Sequence, residues 1–176
     1  MRDTTKGEQA AARLGRPGST SVVEIDLADL DQVAGCAKQL LDGHDDLSAL
    51  ICNARIKGGP CLVSPQGVEL QMATNHLGHV ALIAALWPLL HTSTARAVLL
   101  SSNEAKRGQL SPQTTRDQLL NPEPYDGKQV YRNTKQANLL FPQEVHRRFE
   151  KAGSPVRAVA VHPNFARRSG PPALHR

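Results

Sequence analysis

Tyr131 and Lys135 stand four positions apart in the stretch QVYRNTKQANLLF, residues 129–141. On a helix, positions i and i+4 share a face. An ammonium held near a phenol favours the phenolate, so a tyrosine placed this way can pass a proton to or from an alcohol near neutral pH. A serine hydroxyl from a neighbouring strand end, Ser102 of ARAVLLSS, would hold the oxygen of the substrate. The other half of such chemistry is a hydride, which side chains do not supply and a cofactor does. The plainer reading is a polar pair on the surface of an amphipathic helix, and the spacing alone does not separate the two.

The elements that must position these residues follow from the hydrophobic pattern. STSVVEIDL predicts a buried strand over residues 20–25, ending at Asp26. LADLDQVAGCAKQLL has helical spacing from Leu27 to Leu41, with Asp29 placed to cap its start. DDLSALICNA predicts a second strand over 47–52, with Asn53 and Ala54 at its end. A loop rich in glycine and proline leads to a helical stretch over 68–90, with a break expected at 75–78. A third strand covers 95–101. The polar segment 103–127 is long enough to read as a functional loop or lid. A helix over 128–151 follows, with Pro142 expected to kink it. The last strand, 156–161, leads into His162 and Pro163, and residues 163–176 read as a frayed end. Strands alternating with helices predict an α/β domain with a parallel sheet. Ligands bind such sheets at the carboxyl ends of the strands. The residues found there are Asp26, Asn53, Ser101, Ser102, His162 and Pro163.

The bulk composition suits one domain over residues 1–176. Hydrophobic residues make up 40% and charged residues 21%, as in a soluble globular protein. Aromatics are only 3%, so aliphatic side chains must fill the core. The net charge of +5 allows an anionic partner such as a phosphorylated cofactor. The densest basic clusters, Arg147-Arg148 with Lys151 and Arg167-Arg168, carry no interleaved aromatics, so nucleic acid is not an expected partner. Three cysteines without a CxxC and a polar N-terminus point to reduced thiols and a cytoplasmic protein. The apolar stretch 77–90 is too short to span a bilayer. His76 and His79 have a spacing that could ligate a metal, but no third ligand is evident, so they read as packing residues and no metal is expected.

Taken together, the segments VEIDLADL, LICNA, GVELQMATNHLGH, ARAVLLSS, YRNTKQANLLF and AVHP resemble the short-chain dehydrogenases/reductases. Within that family the resemblance is to the retinol-dehydrogenase-like oxidoreductases. It implies a partial Rossmann-like, doubly wound parallel sheet that lacks the family's first two strands and its last. It also implies an NAD(P)-dependent oxidoreductase that interconverts an alcohol and a carbonyl by hydride transfer. Tyr131 would be the general acid/base. Lys135 would assist it and bind the nicotinamide ribose, Ser102 would orient the substrate, and Asn75 would complete the tetrad by holding a water of the proton relay. Asp26 would contact the adenine, and Asn53, Ala54 and Pro163 would lie along the cofactor. Arg2, near a 2′-phosphate, would favour NADP over NAD.

The pattern also departs from the family. The glycine-rich turn that cradles the pyrophosphate is missing, and GRPG at 15–18 follows no strand. The family's first two strands lie between the strands expected at 20–25 and 47–52. Without them those two would stand about 14 Å apart, three spacings of about 4.8 Å. Arg55 and Asn164 replace family glycines. The alternative is therefore a catalytically inactive remnant that folds poorly or pairs with another subunit, with homo-oligomerisation through the helices around Trp87 and Phe141.

Overall fold

A computed structural model of the protein describes residues 2–14, 18–91, 94–151 and 153–163. Asn164, Arg167, Arg168 and the rest of the expected frayed end beyond Pro163 lie outside the described residues, as does most of GRPG.

Three parallel strands form the sheet: β1 (Ala49–Cys52), β2 (Arg96–Leu100) and β3 (Arg157–Val161). Their order is β1-β2-β3, with Ile51 opposite Val98 and Val98 opposite Val159. Alternation along the strands divides the two faces. Cys52, Ala97, Leu99 and Ala158 point into a core completed by Ile83, Leu90 and Val145. Ile51, Val159 and Val161 point the other way and are exposed.

Helices cover the buried face through Ile83, Leu90 and Val145. α1 (Thr4–Arg13) is capped by Asp3. α2 (Leu30–Gly43) is capped by Asp29, whose carboxylate accepts from the Asp31 amide at 3.1 Å. α3 (Leu70–Met72) passes through a π-helical turn (Ala73–Leu77) into α4 (Gly78–Ala85), and α5 (Trp87–His91) follows. α2 packs on α4 at close range. A Cβ on Gly78 would overlap the carbonyl of Leu27, just before α2, so only glycine lets the backbones approach this way. α6 (Arg116–Leu120) carries a capping box between Thr115 and Gln118. α7 (Gly127–Lys151) runs 25 residues through Pro142 without interruption. Trp87 packs against Phe149 with ring centres 4.3 Å apart, joining α5 to α7, so the indole is used within the chain.

Two expectations are corrected. Residues 20–25 form no strand. Their pattern is that of a buried strand, but a strand exists only through ladder hydrogen bonds to a neighbour, and among the described residues none lies beside them. β1 is accordingly an edge strand of the three-stranded sheet. The break expected at 75–78 is instead the π-helical turn, which carries the chain through Asn75 without ending the helix.

Candidate active site

α7 places four polar residues on one inward face: Tyr131, Thr134, Lys135 and Asn138, all buried. Their spacing of i, i+3, i+4, i+7 is that of a helix stripe normally filled by apolar side chains. Burial of Thr134, Lys135 and Asn138 is tolerated because each side chain finds hydrogen-bond partners. The Lys135 ammonium donates to the Leu100 carbonyl at the end of β2, at 2.8 Å. Asn138 Nδ2 donates to the same carbonyl at 3.2 Å and to the Asn75 carbonyl at 2.9 Å. Ser101 Oγ returns a bond to the Lys135 carbonyl at 2.7 Å. The end of β2 and the stretch of α7 around Lys135 are therefore stitched together from both sides.

Asn75 is the hub of the opposite wall and is fully buried. Its Oδ1 accepts from the Ile56 amide at 2.8 Å, and its Nδ2 donates to the Ile56 carbonyl at 2.9 Å and to Thr134 Oγ1 at 3.2 Å. The amide thus acts as a strand-like partner for the loop after β1. Its main-chain carbonyl accepts from Asn138 Nδ2 and from His79 Nδ1, the latter at 3.1 Å. His79 is held neutral, its pKa pushed down to about 4 chiefly by burial. His76 Nδ1 bonds Asn138 Oδ1 at 2.8 Å. Both histidines are thus spent on hydrogen bonds. Among the described residues no cluster of three or more His, Cys, Asp or Glu could hold a metal.

Lys135 Nζ lies 5.8 Å from the centre of the Tyr131 ring. Burial first, and then the nearby Arg55 guanidinium, bring its pKa down to about 8. Lys57, which carries no motif, comes closer still, with its ammonium 5.0 Å from the ring centre. Ser102 caps the 3₁₀ turn (Asn103–Arg107), its Oγ accepting from the Glu104 amide at 3.3 Å. The segment that follows is pinned to α7. Gln136 exchanges two hydrogen bonds with the Leu110 backbone, Asn133 accepts from the Gln109 amide, and Glu104 pairs with Arg132 at 2.8 Å. A buried polar network fixes the entrance to α7. Gln71 takes the Gly58 amide at 2.9 Å and gives to the Gly127 carbonyl at 2.9 Å, while Tyr125 bridges Gln71 and Glu69.

Two clefts open at the strand ends. One, about 450 Å³, is lined by Asn53, Ala54, Arg55, Ser101, Lys135 and Pro163. The other, about 290 Å³, holds Arg2, Asp26, Ala54, Arg55 and Thr74. There Asp26 accepts from the Ala28 amide at 3.0 Å, and Arg2 lies 3.8 Å from its carboxylate. The residues expected along a cofactor are divided between these two clefts, which share Ala54 and Arg55. The donor set suits a dinucleotide: a carboxylate for sugar or base donors at one end, an ammonium at the other, and a guanidinium between. Lys57 gave no signal in the sequence because a loop sets its position. Thr134 and Asn138 were legible in principle, as polar positions on the same helical stripe as Tyr131 and Lys135.

No family model matches the chain. Mouse retinol dehydrogenase 14 is 33% identical over 94% of the chain and 52% of its own length. The WW domain-containing oxidoreductase of Gallus gallus is 31% identical over 92% of the chain and 41% of its own length. The chain spans about half the length of the curated relatives it matches. Among solved structures, an uncharacterised protein from Mycobacterium paratuberculosis superposes with a TM-score of 0.81 at 40% identity, over 94% of the chain and 57% of its own. A metagenomic short-chain oxidoreductase in complex with NADP superposes with a TM-score of 0.70 at 20% identity, over 95% of the chain and 69% of its own.

Proposed function

We propose, from the premise that the chain belongs to the short-chain dehydrogenase/reductase family, that it carries the proton-transfer half of an NAD(P)-dependent alcohol–carbonyl oxidoreductase. The observation that carries this reading is the buried face of α7, which holds Tyr131 and Lys135 together and brings Lys135 into the lining of the strand-end cleft. A nicotinamide bound there would supply the hydride. Tyr131 Oη would give its proton to the carbonyl oxygen of the substrate, or take one from an alcohol. Lys135 would hold positive charge near the phenol, and its depressed pKa limits that help to pH below about 8. Ser102 Oγ keeps its own proton while accepting from Glu104, so it could donate to the substrate oxygen. Asn75 would act by positioning, since its side-chain amide is engaged by Ile56 and Thr134 and its carbonyl by Asn138 and His79. Asp26, Asn53, Ala54 and Pro163 would line the cofactor, with NADP favoured over NAD by Arg2 beside Asp26.

The test is turnover of a panel of lipophilic alcohols and ketones with NADPH or NADH. Wild-type turnover that Tyr131→Phe abolishes supports the assignment, and turnover that survives the change refutes it. The open edge of β1 and the exposed Ile51, Val159 and Val161 favour a second reading, in which the chain completes its sheet against another polypeptide. The exposed Leu139 and Leu140 of α7 offer a helical surface for a second copy. A monomer by sedimentation would exclude self-association. Among the described residues no helix is long and apolar enough to cross a membrane. A cytoplasmic location is part of the same proposal.

A further inference from the structure

Arg55 stands where the family pattern calls for glycine, and the plain reading is obstruction of the cofactor path. The geometry points to the opposite: we propose that Arg55 is a ligand for the bridging diphosphate of the dinucleotide. This rests on the oxidoreductase reading above. Arg55 and its neighbour Ala54 are the two residues that line both clefts. One cleft ends at Asp26 and the other at Lys135, so a molecule occupying both must cross at Arg55. In a dinucleotide the group between the two nucleosides is the diphosphate, and a guanidinium matches phosphate oxygens in a bidentate way.

The charge balance supports the same assignment. Arg55 is exposed and has no ion pair or hydrogen bond among the described residues. It stands close enough to Lys135 to disfavour the charge on that ammonium. Two cations that repel each other across a cleft form a site for an anion, which would relieve the repulsion as it binds.

The experiment is calorimetric titration of the full chain with NADPH, and separately with inorganic pyrophosphate, for wild type, Arg55→Gln and Arg55→Gly. Because Arg55 is exposed and unbonded, both variants are expected to fold as wild type does, checked by their thermal transitions. A charged hydrogen bond of ordinary strength predicts that both variants bind NADPH at least about tenfold more weakly. Pyrophosphate binding should fall with it, and the salt dependence should become shallower. Tighter NADPH binding by Arg55→Gly would show that the arginine obstructs, and unchanged binding would show that it is a bystander; either overturns the inference while leaving the oxidoreductase reading intact. Pyrophosphate binding that depends on Arg55, without NADPH binding, would uphold the anion site and sink the oxidoreductase reading. Binding of neither ligand by the wild-type chain would overturn both.

Discussion

Replacing Asn75 by alanine should unfold the candidate site before it alters any chemistry. The variant loses three side-chain hydrogen bonds, two to the Ile56 backbone and one to Thr134. It leaves the Ile56 amide and carbonyl without the partner that fixed the loop after β1. An orphaned buried polar group costs about 1–3 kcal/mol. Ile56 is only partly buried, so water recovers some of that cost, and the loss should be about 2–4 kcal/mol. For a chain of this size 1 kcal/mol moves Tm by about 2–4 °C, so Tm should fall by roughly 5–15 °C. Urea unfolding followed by circular dichroism gives the free energy, and a thermal scan gives Tm. Asn75→Asp offers a control. It keeps an acceptor for the Ile56 amide but sets a carboxylate oxygen against the Ile56 carbonyl, so it should lose nearly as much stability at pH 7. A change below about 0.5 kcal/mol for Asn75→Ala, the range of ordinary surface substitutions, would refute the reasoning.

Three further outcomes follow from the same geometry. His79 takes up a proton only near pH 4 in the native state against an ordinary 6.5, so the unfolded chain binds more protons between those values. Stability should be full above pH 6.5 and fall toward pH 4 by on the order of 3 kcal/mol, and His79→Gln should flatten that fall in urea titrations. Lys135 loses its proton near pH 8 in the native state against 10.5 ordinarily. Its burial therefore costs most below pH 8, and stability should rise from pH 8 to 10.5 by a similar amount, a slope that Lys135→Met should remove. Gly78→Ala would drive a Cβ into the Leu27 carbonyl oxygen. Backbone must yield there, so a loss of about 2 kcal/mol or more is expected by urea unfolding.

Much of this arrangement is legible in the sequence where local chemistry decides it. The Asp29 cap of α2, the three paired strands and the whole of α7 follow from capping chemistry and hydrophobic period. Tyr131 and Lys135 were readable because helical spacing fixes which residues share a face. What escaped the sequence depends on neighbours. Residues 20–25 have a strand's pattern, yet pairing requires a second strand, and none lies beside them among the described residues. Lys57 reaches Tyr131 only because a glycine-rich loop turns back over α7. The side-chain amide of Asn75 is committed to Ile56, which its sequence position beside His76 does not reveal.

The strand-end clefts of this chain are expected to accept a nicotinamide dinucleotide, and thermal unfolding of the purified chain with and without NADPH is the first check. At 100 times its Kd, the ligand should add about 2.7 kcal/mol to the folded state, visible as a cooperative transition moved to higher temperature. A cooperative transition that stays in place with both NADPH and NADH at saturating concentration would contradict the account, because the clefts would then exist without the cofactor they were assigned.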